Sequence, residues 1–160
     1  MNSNAKVIDD LNKALQMEIS ATHQYQLHAH VLDDWGLDRL AAQMRQEMIE
    51  ETEHSNRFIE RIMFLKGEPM IAFDKPPYKA ASLETMFKAD LTDEEDAIEF
   101  YSKAASNAAA VGDIGSRVLF EEIALQEEGH KAWLETQLEL IERIGAQNYA
   151  SMQVSGQTTE

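Results

Sequence analysis

Residues 67–81 read GEPMIAFDKPPYKAA and hold every proline of the chain, Pro69, Pro76 and Pro77. Proline lacks the backbone donor and clashes with the preceding turn, so helix is interrupted here and free to form on both sides. Val, Ile and Thr build no alternating run that reads as a strand, and the expected class is all-α. At about 15 residues the segment is long for a connection inside a compact bundle. Its length suits a crossover that travels the bundle from end to end, so that the helices before and after it run parallel.

Before this segment the pattern predicts two helices. The first spans about Asn4 to Asp34, with Val7, Ile8, Leu11, Leu15, Ile19, Tyr25 and Leu32 largely recurring at three and four. Trp35-Gly36-Leu37 breaks it, with Gly36 as the residue beyond the cap. Asp38 is expected to cap a second helix that runs to about Lys66, where Gly67 stops it. After the crossover, Ser82 is placed to cap a third helix ending near Val111. Gly112-Asp113 marks a turn, and a fourth helix covers Ile114 to Ile144. Gly145 ends it, and Ala146 to about Met152 suits a short fifth helix. The polar tail from about residue 153 reads as frayed. The whole, residues 1–160, reads as one domain: a four-helix bundle with a long crossover between its second and third helices and a short C-terminal helix.

Composition narrows the chemistry. The chain has no cysteine, which excludes disulfides, all-cysteine iron–sulfur clusters and thiolate zinc. With 29 acidic residues and five histidines, a metal would be held by carboxylates and imidazoles. A formal charge of -15 argues against a grip on nucleic acid and draws cations toward clefts. No stretch approaches 18 apolar residues, so no membrane span is expected. The start, MNSNAKVIDDLNKA, has no leader pattern, and a cytoplasmic location is the default.

The spacing Glu-x-x-His occurs twice at matching depth: Glu51 with His54 on the second helix, and Glu127 with His130 on the fourth. Residues three apart share a helix face, so each pair can hold one ion. A carboxylate from each remaining helix would complete a two-metal site. The first helix offers Glu18, the only acid between Asp10 and Asp33. The third offers Glu94, Glu95 and Asp96 within a turn of the right level, and spacing alone does not choose among them. Tyr25 is seven residues after Glu18, and Tyr101 seven after Glu94, so each shares its carboxylate's face. Four carboxylates balance two Fe²⁺, and bridging carboxylates hold paired ions roughly 3.5–4 Å apart. Such a pair can pass electrons to dioxygen or peroxide, and a nearby tyrosine can supply or shuttle one more.

The segments VIDDLNKAL (7–15), QYQLHAH (24–30), DDWGLDRL (33–40), EETEHSNRFIERIMFLKG (50–67), EEGHKAWLETQLELI (127–141) and IGAQNYA (144–150) resemble the bacterioferritins and the haem-poor bacterial ferritins. The likeness runs over essentially the whole chain and implies a ferritin-like fold with ferroxidase activity, an iron-storage protein that oxidises Fe²⁺ with O₂ or H₂O₂. By this resemblance the ligands of two iron ions per subunit fall on Glu18, Glu51, His54, Glu94, Glu127 and His130, which selects Glu94 over its neighbours. Glu51 and Glu127 are then the bridges. Glu18 with His54, and Glu94 with His130, complete the two positions, and Tyr25 matches a tyrosine beside the centre. The resemblance also implies a shell of about 24 copies, with the fifth helix near the fourfold axes, ferric mineral inside, and a ferredoxin-type reductant for iron release. A second kind of bacterioferritin subunit is a further partner.

Three features depart from the family pattern. The haem-ligating methionine is replaced by Thr52, and a hydroxyl is a poor axial ligand where a thioether is usual. The surrounding pocket carries Thr22, His23 and Gln26 instead of apolar residues. Haem b is therefore expected to be absent or atypically held. Met48, one turn before Thr52, is the alternative ligand, with His23 as second choice. The inner-surface iron position has Gln46 with Glu50. Trp35 and Trp133 read as packing anchors, and His28 and His30 as hydrogen-bonded or surface residues. The competing functions are a di-iron oxidase or peroxidase acting on another substrate, a structural subunit of a mixed shell, and a DNA-protecting mini-ferritin.

Overall fold

The computed structural model describes residues 4–156. Four long helices, α1 (Ala5–Asp34), α2 (Asp38–Phe64), α3 (Leu83–Ala110) and α4 (Ile114–Ile144), are followed by the short α5 (Ala146–Ser151). α1 packs along α2 and α3 along α4, and α5 folds back on α4. Cross-bundle bonds fix the directions. Asn107, late in α3, donates to Asp10 early in α1 at 2.8 Å, while His28 near the end of α1 meets Asp90 near the start of α3 at 3.1 Å. α1 and α3 are thus antiparallel. Arg61 near the end of α2 donates to Ser116 in the first turn of α4 at 2.9 Å, so α2 and α4 are antiparallel too. α2 and α3 therefore run the same way, as the proline-rich crossover demands.

Three polar side chains of α1 hold that crossover. Asn12 donates to Glu68 O and accepts from Met70 N–H; Ser20 accepts from Asp74 and Lys75 N–H; Gln24 accepts from Tyr78 N–H and donates to Tyr78 O. As the crossover advances from 68 to 78 its partners advance from 12 to 24, so it runs alongside α1, which satisfies these six of its backbone groups.

The helix ends follow local chemistry with two departures. Ser82 forms a capping box with Thr85 at the start of α3, and Asp113 caps α4 through Ser116 N–H. Asp38 does not cap α2: the cap residue is Leu37, and the Asp38 carboxylate accepts from Ser155 N–H at 2.9 Å. α2 also stops earlier, at Phe64, because Lys66 takes the left-handed conformation (φ 63°) that Gly36 and Gly112 take after α1 and α3. Gly67 serves closeness instead. A Cβ there would lie 2.8 Å from Ile8 Cγ2 and 3.1 Å from Ile62 Cγ2. Beyond α5, Gln153 O accepts from Arg39 N–H, which with the Ser155 bond ties the tail to the start of α2. Residues 157–160, the end of the tail expected to fray, lie outside the described residues.

The core is divided in two. One apolar cluster gathers Leu11, Leu15, Phe58, Ile62, Tyr101 and Phe120; the other gathers Leu32, Met44, Met86, Phe87, Leu134 and Tyr149. Trp133 packs edge-on against Phe87 with ring centres 5.8 Å apart, the anchoring role read from sequence. No helix among the described residues is long and apolar enough to cross a membrane. Gly67→Ala should destabilise the chain by about 1–3 kcal/mol, because the β-branched Ile8 cannot swing its Cγ2 away. Chemical denaturation of the purified variant measures it.

Candidate metal centre

Between the two apolar clusters lies a layer of buried charge. Glu18, Glu51, Glu94 and Glu127 are each at most 4% exposed, and His54 and His130 at most 7%. α1 to α4 each supply one of the carboxylates. Glu95 and Asp96, which spacing left as rivals of Glu94, are exposed. All six residues expected from the sequence are brought together.

Their contacts divide them into two overlapping sets. His54 Nδ1 lies 2.8 Å from Glu127, 3.5 Å from Glu18 and 3.9 Å from Glu51. His130 Nδ1 lies 3.1 Å from Glu51, 3.4 Å from Glu127 and 3.5 Å from Glu94. Glu51 and Glu127 touch both imidazoles, Glu18 only the first and Glu94 only the second. Within each set, Glu18, Glu51, His54, Glu127 and Glu51, Glu94, Glu127, His130, the candidate ligand atoms lie within 4.8 Å of one another. Glu18 Oε2, Glu51 Oε1, His54 Nδ1, Glu94 Oε2, Glu127 Oε1 and His130 Nδ1 are buried and make no well-aligned hydrogen bond. Six such atoms in two overlapping sets have the hard and borderline donor chemistry that fits Fe²⁺.

The far nitrogens are held from outside. His54 Nε2–H donates to Gln126 Oε1 at 2.5 Å. His130 Nε2–H donates to Glu50 Oε2 at 2.7 Å, with Glu47 Oε2 at 2.8 Å. These bonds aim each Nδ1 lone pair inward once the ring is neutral. Glu47 and Gln126 were not singled out in the sequence; both sit within a helical turn of a ligand. Glu50 was noted with Gln46 as an inner-surface pair, and Gln46 does donate to Glu50, at 3.2 Å, yet it is Glu47 that joins Glu50 and His130 in a third potential cation cluster.

Two phenols close the layer. Tyr25 O–H donates to Glu94 at 2.6 Å, and Tyr101 O–H donates to Glu18 at 2.5 Å. Each tyrosine bonds the carboxylate of the opposite helix, not the one on its own face. One numerical relation connects the halves. Glu94, Tyr101, Glu127 and His130 each stand 76 positions after Glu18, Tyr25, Glu51 and His54. That offset, visible in the sequence, marks Tyr101 as the counterpart of Tyr25.

A cavity of about 550 Å³ opens onto the layer between α1, α3 and the crossover. It is lined by all four carboxylates and both phenols but by neither imidazole. Towards the crossover it is bordered by Asp74, Asp93 and Asp96, with Lys13 paired to Asp74 and Lys75 to Asp93. Elsewhere, Met48 and Thr52 share a shallow surface depression of about 210 Å³ with Thr22, His23 and Gln26. The Thr52 hydroxyl is spent on Met48 O at 2.8 Å, and His23 Nδ1 pairs with Gln26 at 3.0 Å. His28 is fully buried between Gln24 and Asp90, and His30 is exposed.

Without metal the layer must balance its own charge. Burial works against protonated His54, but contacts with Glu127 and Glu18 outweigh it and raise its pKa to about 10. His130 moves the same way: burial opposes, and Glu127, Glu47, Glu51 and Glu94 prevail. Burial, then Glu127, raises Glu51 and Glu94. Burial would raise Glu127 as well, but contacts with Glu94 and both histidines hold it below the carboxylate range. Cations and protons therefore compete for the same atoms.

The chain matches the model of the ferritin-like domain over residues 8–144. It is 41% identical to a bacterioferritin of Rhodobacter capsulatus, covering 94% of this chain and 93% of that one. It is 40% identical to a bacterioferritin of Brucella melitensis (95% and 94%), and 36% identical to a bacterial ferritin of Synechocystis (97% and 100%). A solved structure of Rhodobacter capsulatus bacterioferritin superimposes with a TM-score of 0.94 at 38% identity, over the full length of both chains. That structure has a metal-free dinuclear site and a haem iron on a crystallographic special position.

Adding Zn²⁺ or Co²⁺ to metal-free protein near pH 7 should release at least about two protons per chain, as the imidazoles give theirs up and the raised Glu51 and Glu94 lose any they hold. Titration in weak buffer counts them. Because the folded pKa of His54 lies above its unfolded value, its contribution to stability is complete below about pH 6.5 and fades as pH rises through about 10. Metal-free protein should thus lose thermal stability towards pH 10, and metal-loaded protein should lose less.

Proposed function

We propose, starting from the fact that the chain belongs to the bacterioferritins of the ferritin-like family, that its buried layer is an intrasubunit ferroxidase centre for two Fe²⁺. The protein is an iron-storage ferroxidase. Fe²⁺ is its substrate, and the reaction is that of an Fe²⁺:oxygen oxidoreductase. One observation carries the assignment of residues: six buried ligand atoms on four helices converge without hydrogen-bond partners.

Glu51 and Glu127 bridge the two iron positions, since each contacts both imidazoles. Glu18 and His54 complete one position, Glu94 and His130 the other. Four carboxylates offset four positive charges, so a loaded centre is near neutral inside an apolar core. With iron bound, the centre supplies two electrons to O₂ or H₂O₂. Gln126, Glu47 and Glu50 keep the imidazoles oriented, and the two phenols fix the terminal carboxylates. The cavity beside α1 and α3 gives small molecules a way to the carboxylate face.

Oxidised iron passes to a mineral inside a shell of about 24 copies, to which a second bacterioferritin subunit can contribute. Release takes a reductant of the ferredoxin type. Haem is not part of this chain's own equipment in the usual arrangement. Position 52 offers a hydroxyl already bonded to Met48 O, and Met48 is the one thioether at that depression.

His54→Ala and His130→Ala should each keep the fold and slow Fe²⁺ oxidation by at least roughly tenfold. Stopped-flow absorbance of anaerobic, Fe²⁺-loaded protein mixed with O₂ measures this, and unchanged initial rates in both would refute the site. Light scattering on the same samples separates a shell of about 24 copies from a dimeric oxidase. Expressed alone with abundant haem, the chain should show little haem absorbance, and Thr52→Met should gain it. Strong binding that Met48→Leu abolishes would identify Met48 as the ligand.

A further inference from the structure

Tyr101 is fully buried, on α3, with its phenolic O–H on Glu18 of α1. Tyr25 does the reverse, from α1 to Glu94 of α3. Glu18 belongs to the His54 position and Glu94 to the His130 position, so each half of the centre has its own phenol. Both phenols line the cavity that reaches the carboxylate face. The ring of Tyr101 is enclosed by Phe58, Phe100 and Phe120, with centres 5.7, 6.0 and 6.2 Å away. These rings are not readily oxidised, so they do not quench a one-electron-oxidised neighbour.

We propose that Tyr101 is a second electron donor to the centre, paired with Tyr25, and that the two together let one O₂ be reduced to water in a single turnover. The proposal rests on the ferroxidase reading above. Breaking the O–O bond fully takes four electrons and four protons. Two Fe²⁺ supply two electrons, and a single phenol brings the count to three, which leaves an unpaired electron on an oxygen product. A second phenol completes it: O₂ + 2 Fe²⁺ + 2 TyrOH + 2 H⁺ gives 2 H₂O + 2 Fe³⁺ + 2 TyrO•. Each phenol loses one electron and one proton, the proton of Tyr101 leaving by way of Glu18 and that of Tyr25 by way of Glu94. Two further Fe²⁺ with two protons return both radicals to tyrosine. Lacking the phenols, the same two Fe²⁺ reduce O₂ only to H₂O₂.

The experiment uses the assembled protein loaded anaerobically with two Fe²⁺ per subunit, mixed with O₂ and freeze-quenched for electron paramagnetic resonance. Released H₂O₂ is assayed in parallel. Tyr25→Phe, Tyr101→Phe and the double variant are compared, with Co²⁺ absorption as the check that each centre still assembles. Tyr25→Phe and Tyr101→Phe should each keep about half the radical, with different hyperfine patterns. The double variant should show none and release close to one H₂O₂ per two Fe²⁺. If Tyr101→Phe keeps the whole wild-type signal while Tyr25→Phe loses all of it, Tyr101 is no donor. If Fe²⁺ is oxidised at the centre without any radical in the wild type, this proposal fails and the ferroxidase reading stands. If the wild type does not oxidise Fe²⁺, both fail.

Discussion

Four carboxylates buried at one level of an apolar bundle form the constraint on which the rest of the structure depends. An unpaired buried charge is strongly unfavourable, and here four would repel one another. Contacts with these carboxylates raise the pKa of both imidazoles, so protons on His54 and His130 offset part of the charge, and cations would do so in their place. The division of the core follows, since no apolar side chain can fill the layer without displacing a ligand. So do the phenol bonds and the external partners of His54 and His130, which hold the donors in place while the occupant changes.

The two halves of the layer are alike in ligands and unlike in surroundings. His54 is backed by a neutral amide, His130 by two carboxylates. A carboxylate behind an imidazole makes it a stronger donor, so His130 is the stronger donor of the two. The third carboxylate cluster lies behind His130, on the side away from the cavity lined by the phenols. The layer thus has a face of carboxylates and phenols on the cavity and a face of imidazoles away from it, with further carboxylates behind only His130.

Much of this was legible in the residues. Proline clustering gave the crossover and hence the helix directions, and the doubled Glu-x-x-His gave the level of the centre. What spacing did not decide was Glu94 against Glu95 and Asp96, because a turn of helix exposes all three to a pattern search while only packing buries one. Resemblance named Glu94, and Glu94 is the one of the three that packing buries. Asp38 was misread as a cap because its carboxylate is engaged by Ser155, 117 positions later, beyond the reach of any local rule. Gly67 was read as a helix stop, yet Lys66 takes the strained turn and the glycine answers to Ile8 on another helix. The cross-bonding of the tyrosines is likewise a fact of tertiary packing: a shared face with a carboxylate on the same helix says nothing about the carboxylate opposite.

The offset of 76 positions has a consequence for how the chain becomes a working molecule. α1 with α2 is a hairpin of local contacts that carries Glu18, Glu51 and His54; α3 with α4 is a second that carries Glu94, Glu127 and His130. Hairpins of this kind form early, and their docking across a long crossover comes late. Neither has a complete ligand set by itself, and each phenol reaches its carboxylate only across the seam. The six buried donors therefore meet only when the two hairpins dock, and neither hairpin alone holds both overlapping sets.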